Sequence, residues 1–99
     1  MKIEDIKKYL SELERNNFHI EQAYIFGSYA NGEYNEWSDI DIALVSDSFE
    51  GIRTADKDKI RKITLSINSD ISPMTYRPED FTPDNLFLRE ILRNGIRVV

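Results

Sequence analysis

Residues 25–45 read IFGSYANGEYNEWSDIDIALV, and this stretch decides how the rest of the chain is understood. An apolar run ends at Gly27-Ser28, and ten residues later Asp39-Ile40-Asp41 opens a second apolar run. Its alternation predicts a strand with Asp39, Asp41, Ala43 and Val45 on one face and Ile40, Ile42 and Leu44 on the other. Both acids then share a face at the strand's start. Left unpaired, two such carboxylates would raise each other's pKa and cost stability. A divalent cation turns that repulsion into attraction, and Mg2+ prefers oxygen ligands from one or two carboxylates together with phosphate oxygens. Gly27-Ser28 meets the complementary need. A strand turning sharply into a helix start offers backbone N–H groups to an anion, and glycine lets a phosphate approach the backbone. Ser28 is suited to the N-cap and to bonding a phosphate oxygen. The residues thus point to phosphates at Gly27 and Ser28 and to metal at Asp39 and Asp41. An ordinary turn followed by a solvated acid would explain either half alone; the two halves together are a much rarer coincidence.

Outward from this stretch, the chain alternates helical and extended patterns. Ile3, Ile6, Leu10 and Leu13 recur at spacings of three and four, predicting an amphipathic helix over residues 2 to about 16, stopped at Asn16-Asn17. Residues 23–26 read as a buried strand that Gly27 ends. Residues 28–35 open as a short helix that Gly32 breaks. Residues 46–52 form a loop. Residues 53–67 are a third helix with Ile60, Ile63 and Ile67 inward, and with Arg53, Lys57, Lys59, Arg61 and Lys62 outward, partly offset by Asp56 and Asp58. NSDISPMTYR predicts a short strand with Asn68, Asp70, Ser72 and Met74 on one face, confined by Pro73 to an edge or a bulge. Thr82-Pro83-Asp84 reads as a helix start. That helix runs to about Arg93 with Leu88, Ile91 and Leu92 inward, Asn94-Gly95 as its C-cap and IRVV as a last strand. The expected order is α-β-α-β-α-β-α-β, one small α/β (α+β) domain with a mixed sheet flanked by helices.

Composition bounds the function. The 99 residues are 40% hydrophobic and 31% charged, a globular balance. Without cysteine there is neither a disulfide framework nor a thiolate metal site. The opening MKIEDIKKYL is unlike a signal peptide, and the apolar runs are too short to span a bilayer, so the expected address is the cytoplasm, without a membrane. A net charge of −5 argues against direct nucleic-acid binding, which needs a basic face. It leaves room for a nucleotide held through a cation. His19, the single histidine, is expected to cap or pack; Trp37 is expected to cover its loop; and Tyr29 and Tyr34 flank the phosphate turn.

GSYANGEYNEWSDIDIALVSD resembles the minimal nucleotidyltransferases of the polymerase-beta-like superfamily, whose signature is Gly-Ser followed by Asp-x-Asp at this spacing. The tail RPEDFTPDNLFLREILRNGIRVV is similar to the C-terminal half of these small proteins, so the resemblance spans nearly the whole chain. It implies the nucleotidyltransferase fold and Mg2+-dependent transfer of a nucleoside monophosphate from a nucleoside triphosphate, ATP foremost, to an acceptor hydroxyl. It assigns phosphate contacts to Gly27 and Ser28 and metal to Asp39 and Asp41. The family's third carboxylate, which assists metal binding and accepts the hydroxyl's proton, lies on a later strand, where similar chains carry acids at the positions of Asn68 and Ser72; here Asp70, between them, is taken as that catalytic, metal-binding acid. The expected acceptor is a tyrosine of a helical HEPN-domain toxin, with this chain as the antitoxin in a homo- or hetero-oligomer. Two alternatives stand beside it: an inert module that silences its partner by contact, and a transferase acting on a small molecule such as an aminoglycoside. Against the latter, the chain ends after one catalytic-type module.

Overall fold

A computed structural model describes residues 3–33 and 39–99. The elements follow the expected order: α1 (Ile3–Arg15), β1 (Gln22–Phe26), α2 (Ser28–Asn31), β2 (Ile40–Val45), α3 (Arg53–Ile67), β3 (Ile71–Tyr76), α4 (Leu86–Asn94) and β4 (Ile96–Arg97), with a 3-10 turn at Pro78–Asp80. The sheet is mixed, in the order β3-β2-β1-β4. β1 runs antiparallel to β2 and β4, whereas β3 runs parallel to β2 across the α3 crossover. Pro73 lies on the edge strand β3, where a residue without an N–H is tolerated.

The strands' period of two sorts the core into two layers. Ala23, Ile25, Ile40, Ile42, Leu44 and Ile71 pack beneath α1 and α3, against Ile6, Tyr9, Leu13 and Ile60. Tyr24, Ala43, Val45 and Tyr76 face the other way, against Phe81 and against Leu88 and Ile91 of α4. The even and odd residues of β2 therefore separate as the sequence pattern requires. Tyr9, which the aliphatic stripe of α1 does not include, is fully buried; its hydroxyl lies 2.7 Å from Thr64 Oγ1 and joins α1 to α3.

Four details differ from the sequence-based expectation. Ser28 is not the cap of α2: Gly27 holds the N-cap position and Ser28 is the first helical residue. Asn68 is not on β3 but is the C-cap of α3, and its amide donates to Asp5 Oδ2 at 2.9 Å. α4 starts after Asn85 rather than at Thr82-Pro83, because Asn85 Oδ1 accepts from the N–H groups of Phe87 and Leu88. Asp56 belongs to the interior, 1% exposed, with its carboxylate accepting from Glu50 N (2.8 Å) and Gly51 N (2.9 Å) of the β2–α3 loop. His19 is exposed beside Glu14. Tyr34 and Trp37 lie outside the described residues.

Candidate active site

Gly27 is where β1 gives way to α2, and its backbone has φ 73° and ψ −146°, a region essentially reserved for glycine. That conformation lets the chain leave the sheet and turn at once into a helix. The first intrahelical bond of α2 runs from Asn31 N to Gly27 O at 3.1 Å, so by helix geometry the N–H groups ahead of Asn31 have no acceptor within the helix. Gly27 also has no side chain with which to cap them. Gly32 closes the same helix in the left-handed region, φ 74°, with its N–H on Ser28 O.

The register delivers Asp41 to this turn. Phe26, the last residue of β1, pairs with Asp41, and Asp41 shares its face with Ala43 and Val45. The carboxylate lies against the glycine: a Cβ added to Gly27 would collide with Asp41 Oδ2. The missing methyl of Gly27 is thus the space that the Asp41 carboxylate occupies. Partial burial holds the Asp41 pKa above the ordinary carboxylate value, and the charge of Asp39 raises it further. Asp39 itself stands exposed, one residue ahead of the strand. The turn and both acids therefore form one cluster at the same end of the sheet.

Asp70 lies just ahead of β3, half-buried, in a tight turn whose N–H donates to Asn68 Oδ1 at 2.9 Å. Its carbonyl accepts from Ile40 N at 2.8 Å. Ile40 pairs with Ile71, so Asp70 precedes β3 as Asp39 precedes β2, on the neighbouring strand. Ser72 is the register partner of Asp41. The position facing Asp41 on β3 thus carries a hydroxyl, and Asp70 sits two residues earlier, just ahead of the strand. Among the described residues no three His, Cys, Asp or Glu side chains are arranged to enclose a metal ion. Two carboxylates, one with its pKa raised by partial burial and by the charge of the other, are nevertheless a donor set that suits a hard divalent cation, since the cation would remove the cost of charging them.

A hollow of about 180 Å3 opens beside Gly27, between α2 and α4, with Phe26, Phe87, Ile91, Glu90 and Asn94 in its wall. Sequence reasoning placed Phe26 in the strand core and gave Phe87 and Glu90 no role. The signal available was the position of Phe26 next to Gly27, together with an aromatic side chain on the outer face of α4.

The family model described as a nucleotidyltransferase domain matches residues 3–98. A Methanocaldococcus jannaschii protein named "Putative protein adenylyltransferase MJ0141" is 30% identical over 100 residues, covering 97% of this chain and 94% of its own. The crystal structure of a Sulfolobus solfataricus protein described as a "putative nucleotidyltransferase" superposes with a TM-score of 0.60 at 23% identity, over 96% of this chain and 75% of that one. This last likeness speaks for the fold.

Proposed function

Because this chain belongs to the nucleotidyltransferase domain family, we propose that it transfers AMP from ATP to an acceptor hydroxyl, using Mg2+ held by Asp39 and Asp41. In the transfer the acceptor oxygen forms a bond to the α-phosphorus, the bond from that phosphorus to the α,β-bridging oxygen breaks, and pyrophosphate leaves. Gly27 and Ser28 orient the leaving phosphates through backbone N–H groups and the Ser28 hydroxyl. Asp39 and Asp41 fix the position of the cation, which when bound offsets the charge on the phosphate oxygens. Asp70 precedes β3 as Asp39 precedes β2 on the neighbouring strand and is assigned the proton of the attacking hydroxyl. The contact that carries this reading is the Asp41 carboxylate lying in the space a Gly27 side chain would fill, which joins the phosphate turn to the acids.

The acceptor is taken to be a protein hydroxyl, a tyrosine of a HEPN-domain partner, with this chain as its cytoplasmic antitoxin. The family resemblance supports that choice, as does the name of the M. jannaschii relative. No described helix is long and apolar enough to cross a membrane, in keeping with a partner met in solution. A second reading is favoured by Ser72, which faces Asp41 where an acid would complete the site: a weakly catalytic module that silences its partner by binding. Incubation with α-labelled ATP and Mg2+, with and without a co-encoded helical protein, separates the two. Label on the partner's tyrosine supports transfer, whereas a tight complex without label supports the binding module. In the same reaction supplied with an aminoglycoside, label on the antibiotic would overturn the protein acceptor.

A further inference from the structure

We propose that the hollow beside Gly27 seats the nucleobase of the triphosphate and selects bases whose amine stands at the place of adenine N6 or cytosine N4, with Glu90 reading that amine. The inference rests on the transferase reading above and adds the substrate's base to it. Three observations carry it. The first is position: the hollow has Gly27 in its wall, and Gly27 is also the residue against which the Asp41 carboxylate lies, so an occupant adjoins the phosphate turn. The second is size. At about 180 Å3 it falls below the roughly 300–1,000 Å3 of pockets that enclose whole drug-sized ligands; it takes one ring system and leaves ribose and phosphates outside.

The third observation is chemistry. Phe26 and Phe87 meet edge to face, with ring centroids 5.6 Å apart at 89°, and Ile91 completes an apolar wall. Aromatic surfaces of this kind accept any base by stacking or edge contact. The polar side chains are Asn31, Glu90 and Asn94, and Glu90 supplies the charged acceptor among them. Asn94 Nδ2 donates to Glu90 Oε1, which fixes the Glu90 carboxylate and turns the amide donor inward to it, leaving Glu90 Oε2 and Asn94 Oδ1 as lone-pair groups. A carboxylate in the wall repels a further phosphate but accepts from an amino group. Adenine and cytosine present such a donor; uracil presents a carbonyl at the corresponding place. Among the described residues no cation lines the hollow, so a phosphate occupant is disfavoured there.

The test is equilibrium binding to the full chain, in Mg2+, of ATP, CTP, UTP and inorganic tripolyphosphate. ATP and CTP are expected to bind about ten-fold tighter than UTP, the scale of one hydrogen bond to a charged group. Glu90→Gln should bring that ratio close to one with tripolyphosphate unchanged. Phe87→Ala should weaken all three nucleotides alike and again spare tripolyphosphate. Glu90 and Phe87 are both exposed on α4, and thermal melts verify that the variants fold. Equal binding of ATP and UTP by the unaltered chain would overturn the base assignment alone. So would variants that keep every nucleotide affinity, because the hollow would then hold no base. Failure of both ATP and tripolyphosphate to bind would overturn the transferase reading, and this inference with it.

Discussion

Gly27→Ala and Gly32→Ala make a matched pair that isolates what the phosphate turn contributes. Both glycines have positive φ, 73° and 74°, and they flank the same four-residue helix. Alanine at Gly32 enters the left-handed region with nothing within 4 Å of its Cβ, so the expected cost is backbone strain alone, about 1–2 kcal/mol. Alanine at Gly27 enters a sparser region costing about 1–3 kcal/mol. For a domain of this length these costs lower the melting midpoint by roughly 4–8 °C per kcal/mol, so both variants melt early. Only Gly27→Ala also strikes Asp41. Its Cβ and Asp41 Oδ2 reach ordinary contact only if the carboxylate retreats by about 1 Å, and a misplacement of that size costs on the order of 10²-fold in rate. The assay is initial-rate incorporation of α-labelled ATP in Mg2+, at a temperature where melts show both variants folded. Gly32→Ala should keep its rate within a few-fold of the unaltered chain, and Gly27→Ala should lose about 10²-fold. A folded Gly27→Ala variant with full activity would refute the link between the turn and the acids.

Asp41→Asn should abolish transfer while the metal-free protein melts no lower than before. The sign follows from its raised pKa: a carboxyl whose folded pKa lies above its unfolded value stabilises the fold below the unfolded value and loses that contribution as pH rises through the folded value. Melts of Asp41→Asn should therefore fall less than those of the unaltered chain as pH rises from near 3.8, the ordinary value; a lower neutral-pH midpoint would contradict this. Asp70→Asn should slow transfer within the ~10²–10⁴-fold range of general-base loss, more than Asn68→Ala, and Ser72→Asp should accelerate it; the reverse ranking in single-turnover assays would move the third acid to another position. Tyr9, whose phenol burial pushes up to about 12 from 10.0, contributes stability that is intact below pH 10 and lost as pH rises through 12. Tyr9→Phe should flatten the alkaline fall of the melting curve, and an unchanged fall would refute that source. Asp56→Ala orphans two loop N–H groups and should lower stability by about 2–3 kcal/mol by urea titration.

Much of the fold was legible because the apolar pattern has one solution. In residues 39–45, only a strand separates Ile40, Ile42 and Leu44 from Ala43 and Val45, and the two core layers divide them in that way. The same pattern could place both acids on one face. It could not reveal that Asp41 lies against Gly27, because that contact depends on the β1–β2 register. Polar stretches were harder to read. The period of Asn68, Asp70 and Ser72 involves no buried side chain, so α3 carries on through Ile67, which packs on the core, and Asn68 is taken up by Asp5. Thr82, Asp84 and Asn85 are all able to cap a helix. The choice fell to Asn85 because Phe81 must first be buried against Tyr24 and Tyr76, at 5.6 and 5.4 Å between ring centroids.

The sheet's two borders have a bearing on assembly. One is a strand interrupted by Pro73 and the other is only two residues long. Neither offers the long, continuous ladder of donors and acceptors onto which a foreign strand could zip. A partner protein is therefore not expected to dock by adding a strand to this sheet, and its recognition would rest on side chains, where shape and charge can be altered one residue at a time.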